Sequence, residues 1–167
     1  MNKKRTIKIK PLKPSNRLFL VVADDSKELH QALYYAARRA ATAGGEIALF
    51  RCIEPLEGQL WGGVSEIMEA ETELASKNLL AELSNYCEKL GAPKPKTFVR
   101  KGTMHEQLFN LIDNEESIRV LVLGVSTEHG NPGPLINYII NKGSNECRVP
   151  ITIVPGNLSD EQIDALI

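Results

Sequence analysis

Three glycines mark the one stretch of this chain where chemistry can be placed. An apolar run ends at Gly124, and Gly130, Gly133 and Gly143 follow, with Ser144 directly after the last. Their spacing is G-x2-G-x9-G-S. Glycine lets a backbone approach an anion closely, and a helix that starts after such a loop presents free N–H groups and a partial positive charge. The chemistry open to this stretch is phosphate binding. A second polar group, Asp24-Asp25-Ser26, follows another apolar run far upstream. A carboxylate there can accept hydrogen bonds from a ribose or a base. Asp and Ser are also favoured helix N-caps, and the two roles can be divided between them. His129, beside the glycine loop, could donate to a phosphate or simply face solvent.

Several other chemistries find no support. There is no Walker lysine motif and no G-x-G-x-x-G. Cys52, Cys87 and Cys147 form no C-x-x-C, and His30, His105 and His129 do not stand at metal-ligand spacing. Free thiols in a reducing compartment and no metal centre are expected. No Ser-His-Asp or Cys-His arrangement can be argued from chain order. The Asp24-Asp25 pair matches the Mg2+-holding acids of a receiver domain. That fold also needs an Asp ending its third strand and a Lys ending its fifth. Here those ends read Arg100-Lys101-Gly102 and Val154-Pro155-Gly156.

The elements that would position these residues alternate. Residues 17–23 form a strand-length apolar run. Leu29, Ala32, Leu33, Ala36, Ala37 and Ala40 then step by three and four, one face of a helix over 28–43 that Gly44-Gly45 ends. Residues 46–53 read as a second strand. A loop of Pro and Gly containing Trp61 leads to a long helix over about 65–90. Residues 96–101 are a third strand, and Thr103-x-x-Glu106 is a capping-box pattern for the helix after it. Residues 118–124 and 149–154 are strands four and five. The apolar run after Pro134 predicts a helix between the glycines, with Pro134 at its first position and Gly143 as its C-terminal cap. Only six residues, 145–150, then remain before Ile151, too few for a further helix and a turn. Residues 156–167 carry a capping box, Ser159-x-x-Gln162, and predict a short terminal helix. The fold expected is α/β: a doubly wound, five-stranded, mostly parallel sheet with helices on both faces. Ligands in such folds sit beyond the carboxyl ends of the strands, where strand order reverses.

The glycine spacing, the alternating order and the V-x-D-x-S pattern of Val22, Asp24 and Ser26 together resemble the universal stress protein family, over residues 17–155. The resemblance implies a Rossmann-like domain whose glycine motif wraps the phosphates of ATP. On that basis Gly124, Gly130, Gly133, Gly143 and Ser144 are candidate phosphate-side residues. Asp24 and Ser26 lie toward the adenosine, and Cys52 at the end of strand two lines the base pocket. Under the helix reading above, Gly143-Ser144 lie at the far end of the helix and residues 130–134 form the phosphate loop. Mg2+ is implied only alongside ATP. The resemblance also implies a homodimer joined through the last strand, residues 149–154. Slow ATP hydrolysis is the most catalysis it implies, and no residue here can be assigned to it. Two alternatives remain: a same-fold homodimeric interaction protein with no nucleotide, and a small-molecule or enzymatic domain using Asp24, Asp25 and His129.

The net charge of −1 hides an asymmetry. Residues 1–17 hold seven of the 20 Lys and Arg and no acid, so the body sets 13 basic groups against 21 acids, a net −8. Residues 1–16 are expected to be a flexible basic arm outside the domain of residues 17–155. An acidic body disfavours nucleic acid as a partner. No apolar run reaches the roughly 18 residues of a membrane span, and the basic start lacks a signal-peptide core, so a cytoplasmic protein is expected.

Overall fold

The computed structural model describes residues 17–55, 63–128 and 130–167. The basic arm, the Trp61 loop and His129 lie outside the described residues. The elements run β1 (Leu18–Val22), α1 (Leu29–Ala43), β2 (Glu46–Ile53), α2 (Val64–Lys89), β3 (Lys96–Lys101), α3 (Met104–Asn114), β4 (Ile118–Val125), α4 (Pro134–Asn141), β5 (Ile151–Pro155) and α5 (Asp160–Asp164). A 3-10 turn, Gly143–Asn145, separates α4 from β5.

All five strands pair in parallel, in the order β3-β2-β1-β4-β5. The chain builds outward from β1 to β3, then returns to lay β4 on the other side of β1. That return is the reversal at which a crevice opens between the ends of β1 and β4. Right-handed crossovers put α1 and α2 on one face and α3 and α4 on the other.

Alternation along the strands fills both faces. Leu18, Leu20, Phe50 and Leu121 pack with Leu108, Ile112, Ile136 and Ile139 under α3 and α4. Val21, Ile47, Leu49 and Val122 pack with Leu33, Ala36, Ala37 and Leu80 under α1 and α2, and Ile163 of α5 joins them. No helix among the described residues is long and apolar enough to cross a membrane.

The helix ends confirm some expectations and correct others. Gly44, at φ 72°, closes α1 with its N–H on the Ala40 carbonyl. Ser159 and Gln162 make the reciprocal capping box of α5. The Thr103 box does not form. The Thr103 side chain caps nothing, and the Met104 N–H donates instead to Oε1 of Glu54 at 3.3 Å. A carboxylate delivered by the end of β2 has taken the place of the local hydroxyl. The helix between the glycines is present as α4, with Pro134 at its start. Gly143 is not its left-handed cap. Lys142 ends the helix, and Gly143 opens the 3-10 turn.

Candidate functional site

The crevice at the switch point is a cleft of about 370 Å³, within the range of small-molecule sites. Three segments supply its polar walls.

The first is the β1–α1 loop. Oδ1 of Asp24 accepts the Ser26 N–H at 3.0 Å, a local turn that fixes the carboxylate beside the end of β1. Arg51, on β2, braces this loop from behind. Its guanidinium donates to the Ala23 carbonyl and to Oδ2 of Asp25, both at 3.0 Å. The two adjacent acids are thereby divided. Asp24 and Ser26 line the cleft, while Asp25 is absent from its wall and holds Arg51.

The second segment is the end of β4. A Cβ added at Gly124 would stand 2.7 Å from the carbonyl carbon and the Cβ of Glu28. Only a glycine lets the start of α1 press onto the end of β4, and that contact forms the floor.

The third segment is the glycine loop and the first turn of α4. Gly130 and Gly133 have φ of 69° and 103°, so both occupy the left-handed region. Oδ1 of Asn131 accepts the Gly133 N–H at 3.2 Å and the Asn137 side-chain N–H at 3.3 Å, which ties the loop to the helix. The Asn137 N–H returns to the Gly133 carbonyl. The amides of Leu135 and Ile136, in the first turn, have no intrahelical acceptor, and Pro134 has no N–H to offer.

Of the sequence candidates, Asp24, Ser26, Gly124 and Gly133 share the cleft wall, and Gly130 stands in the same loop. Gly143 and Ser144 begin the 3-10 turn beyond α4, roughly 12 Å along the helix from its start at 1.5 Å per residue. Gly143 is a packing glycine: a Cβ there would stand 3.0 Å from the Tyr138 ring and 3.2 Å from Phe109. Cys52 is also off the wall. It points into the core beneath α3, where its thiol donates to the Gly102 carbonyl at 3.2 Å. Burial, and then the Glu54 carboxylate, push that thiol upward, which leaves it an inert core group.

Sequence reasoning missed Glu28, Glu54, Met104, His105 and Tyr138, all of which line the cleft. His105 stacks on Tyr138 with ring centroids 4.0 Å apart, and the Tyr138 hydroxyl donates to Glu146. Burial is the first cause that raises the Tyr138 hydroxyl, and the Glu146 hydrogen bond the second. Among the described residues no group of three metal-ligating side chains converges.

A five-stranded parallel sheet with helices on both faces and a cleft at its switch point defines a class, the doubly wound α/β domains. Within that class, the chain belongs to the universal stress protein family, whose model matches residues 16–155. Solved structures agree on the fold. The universal stress protein UspA from Lactobacillus plantarum superposes with a TM-score of 0.68 at 17% identity, over 83% of this chain and 97% of that one. A universal stress protein in complex with cAMP gives 0.61 at 17% identity, over 83% and 96%. The universal stress protein from Archaeoglobus fulgidus in complex with dAMP gives 0.52 at 18% identity, over 85% and 99%. No curated protein matches the chain.

Proposed function

We propose that this chain is a stress-response or signalling module that binds an adenine nucleotide in the cleft between the ends of β1 and β4. The observation that carries the reading is the convergence of Asp24, Gly124 and Gly133, from three separate segments, on one cleft of mononucleotide size. The nucleotides named with two of the similar structures support it. Asp24 and Ser26 then face the adenosine end, and the loop of residues 130–134 faces the phosphate.

Protein purified without added ligand is expected to release an adenine nucleotide on denaturation, detected by mass spectrometry. Gly133→Val is expected to lose it while circular dichroism stays native. Space is not the reason, since nothing lies within 4 Å of a Cβ at Gly133. The reason is φ 103°, which a β-branched residue adopts only under strain. A protein that releases nothing and gives no heat on titration with adenine nucleotides would instead be a same-fold interaction protein.

The proposal includes a homodimer through β5. This strand is the sheet edge next to β4, and Ile153 on it is 44% exposed. An exposed apolar edge strand is a hazard unless it is covered. Two-fold pairing covers it on both copies at once. The choice of test residue follows from strand parity. The Leu121 N–H donates to the Pro150 carbonyl, so even-numbered residues of β5 face β4. Thr152 therefore belongs to the internal ladder, and Ile153 presents its N–H to the open edge. Light scattering is expected to give a two-chain mass for the wild type and a one-chain mass for Ile153→Pro. A wild type that stays monomeric at high concentration would defeat the dimer. Covering by the tail is not available within the chain, because α5 packs on α1 and buries Ile163 there.

A further inference from the structure

The residues of the cleft do not fit a triphosphate. Three helices begin at it, and a bare helix N-terminus is an anion site. One of the three is already answered by a carboxylate of the protein: Glu54 accepts the first N–H of α3. The start of α1 carries Glu28, which caps no helix amide, and the Asp24 carboxylate accepts the Ser26 N–H just before that helix. The third, α4, begins with Pro134, which removes one donor. Asp24, Glu28 and Glu54 thus place three carboxylates on one wall, and no Lys or Arg among the described residues lines it. The bases nearest in sequence have acidic partners elsewhere. Arg51 is held by Asp25, and Lys27, 87% exposed, lies 4.0 Å from Glu128.

We infer that this cleft takes an adenosine ligand bearing at most one phosphate and discriminates against the triphosphate. The inference rests on the nucleotide reading above and narrows its ligand class. A monoester brings at most about two negative charges, and donors remain to meet them. They are the Leu135 and Ile136 amides, the Ser126 hydroxyl and the His105 imidazole. Each further phosphate adds charge facing carboxylates with no Lys or Arg among the described residues of the cleft wall to offset it, and like charges repel in a partly desolvated cleft. Charge is therefore the selector, and the adenosine end can be common to accepted and rejected ligands.

The test is calorimetric titration of the full chain with adenosine, AMP, cyclic AMP and ATP, the last with and without Mg2+. AMP or cyclic AMP is expected to bind at least roughly tenfold tighter than ATP, and added salt should narrow the gap. Glu54→Gln keeps an acceptor for the Met104 N–H and removes the charge. It should improve ATP binding several-fold relative to adenosine, with circular dichroism showing a native fold. ATP binding as tightly as AMP, or a Glu54→Gln variant with the wild-type preference, would overturn the inference and leave the nucleotide reading intact. Failure of all four compounds to bind would overturn both.

Discussion

Gly124→Ala is expected to lower stability by about 3 kcal/mol, the upper end of the usual cost of overpacking a core. For a domain of this size that corresponds to a fall in melting temperature of roughly 6–12 °C. The magnitude follows from what the new methyl would meet. Its neighbours are backbone and Cβ atoms of Glu28, not the far end of a flexible side chain. Glu28 cannot retreat alone, because it opens α1. That helix is pinned along its length by Ala32, Leu33, Ala36, Ala37 and Ala40, each no more than 2% exposed. Relief must therefore come from moving the start of α1 off the sheet, which displaces Ser26 and Glu28 and widens the cleft. Thermal melting and ligand titration on the same variant should both report loss. A melting temperature within about a degree of wild type would show that the loop of residues 23–28 yields cheaply, and that the close pass is not a constraint.

The contrast between Gly124 and the other candidates shows what was legible in the sequence. Strands β1, β2, β4 and β5 announced themselves as short apolar runs between breakers, as strands buried on both faces do, whereas the edge strand β3 offers only Phe98 and Val99. The helix between the glycines was readable from Pro134 and from the short segment before Ile151. Local chemistry was readable where the partners are local, as in the Ser159–Gln162 box. It failed where a distant element competed, as when Glu54 displaced the Thr103 hydroxyl at the head of α3. The cleft was half visible for the same reason. Asp24, Ser26, Gly124 and Gly133 sit in the loops that flank the switch point, and the fold rule alone points to them. Glu54 and His105 arrive from the end of β2 and the first turn of α3, carry no motif, and become neighbours only once the sheet order is known. Cys52 has the parity of Glu54 but stands two residues short of the strand's exit, among the core side chains under α3.

The terminal helix supplies the second large effect. Five residues cannot hold a helix in isolation, so α5 exists through its contacts with α1. Ile163 is fully buried among α1 side chains. Around it, Arg38 donates to Oδ1 of Asp164 at 2.7 Å, the Tyr34 hydroxyl donates to Oδ2 at 3.0 Å, and His30 meets Asp160 at 2.9 Å. Ile163→Ala is expected to cost about 2–4 kcal/mol, the range for a buried aliphatic truncation, and to release residues 157–167 to rapid hydrogen exchange. The polar ring gives that release a pH dependence of known sign. The Arg38 hydrogen bond is the main cause that holds the Asp164 carboxyl below its ordinary value, with the Tyr34 hydroxyl adding to it and partial desolvation opposing. A carboxyl depressed in the folded state stabilises fully above its unfolded pKa and loses that contribution as pH falls through its folded pKa. Protection in residues 157–167, taken as the exchange rate relative to the intrinsic rate at each pH, should therefore fall on acidification before that of the sheet amides. Asp164→Asn should remove much of that pH step while leaving Ile163 buried. If the tail and the sheet instead open together at every pH, α5 is part of the cooperative core, and the polar ring contributes no separate switch.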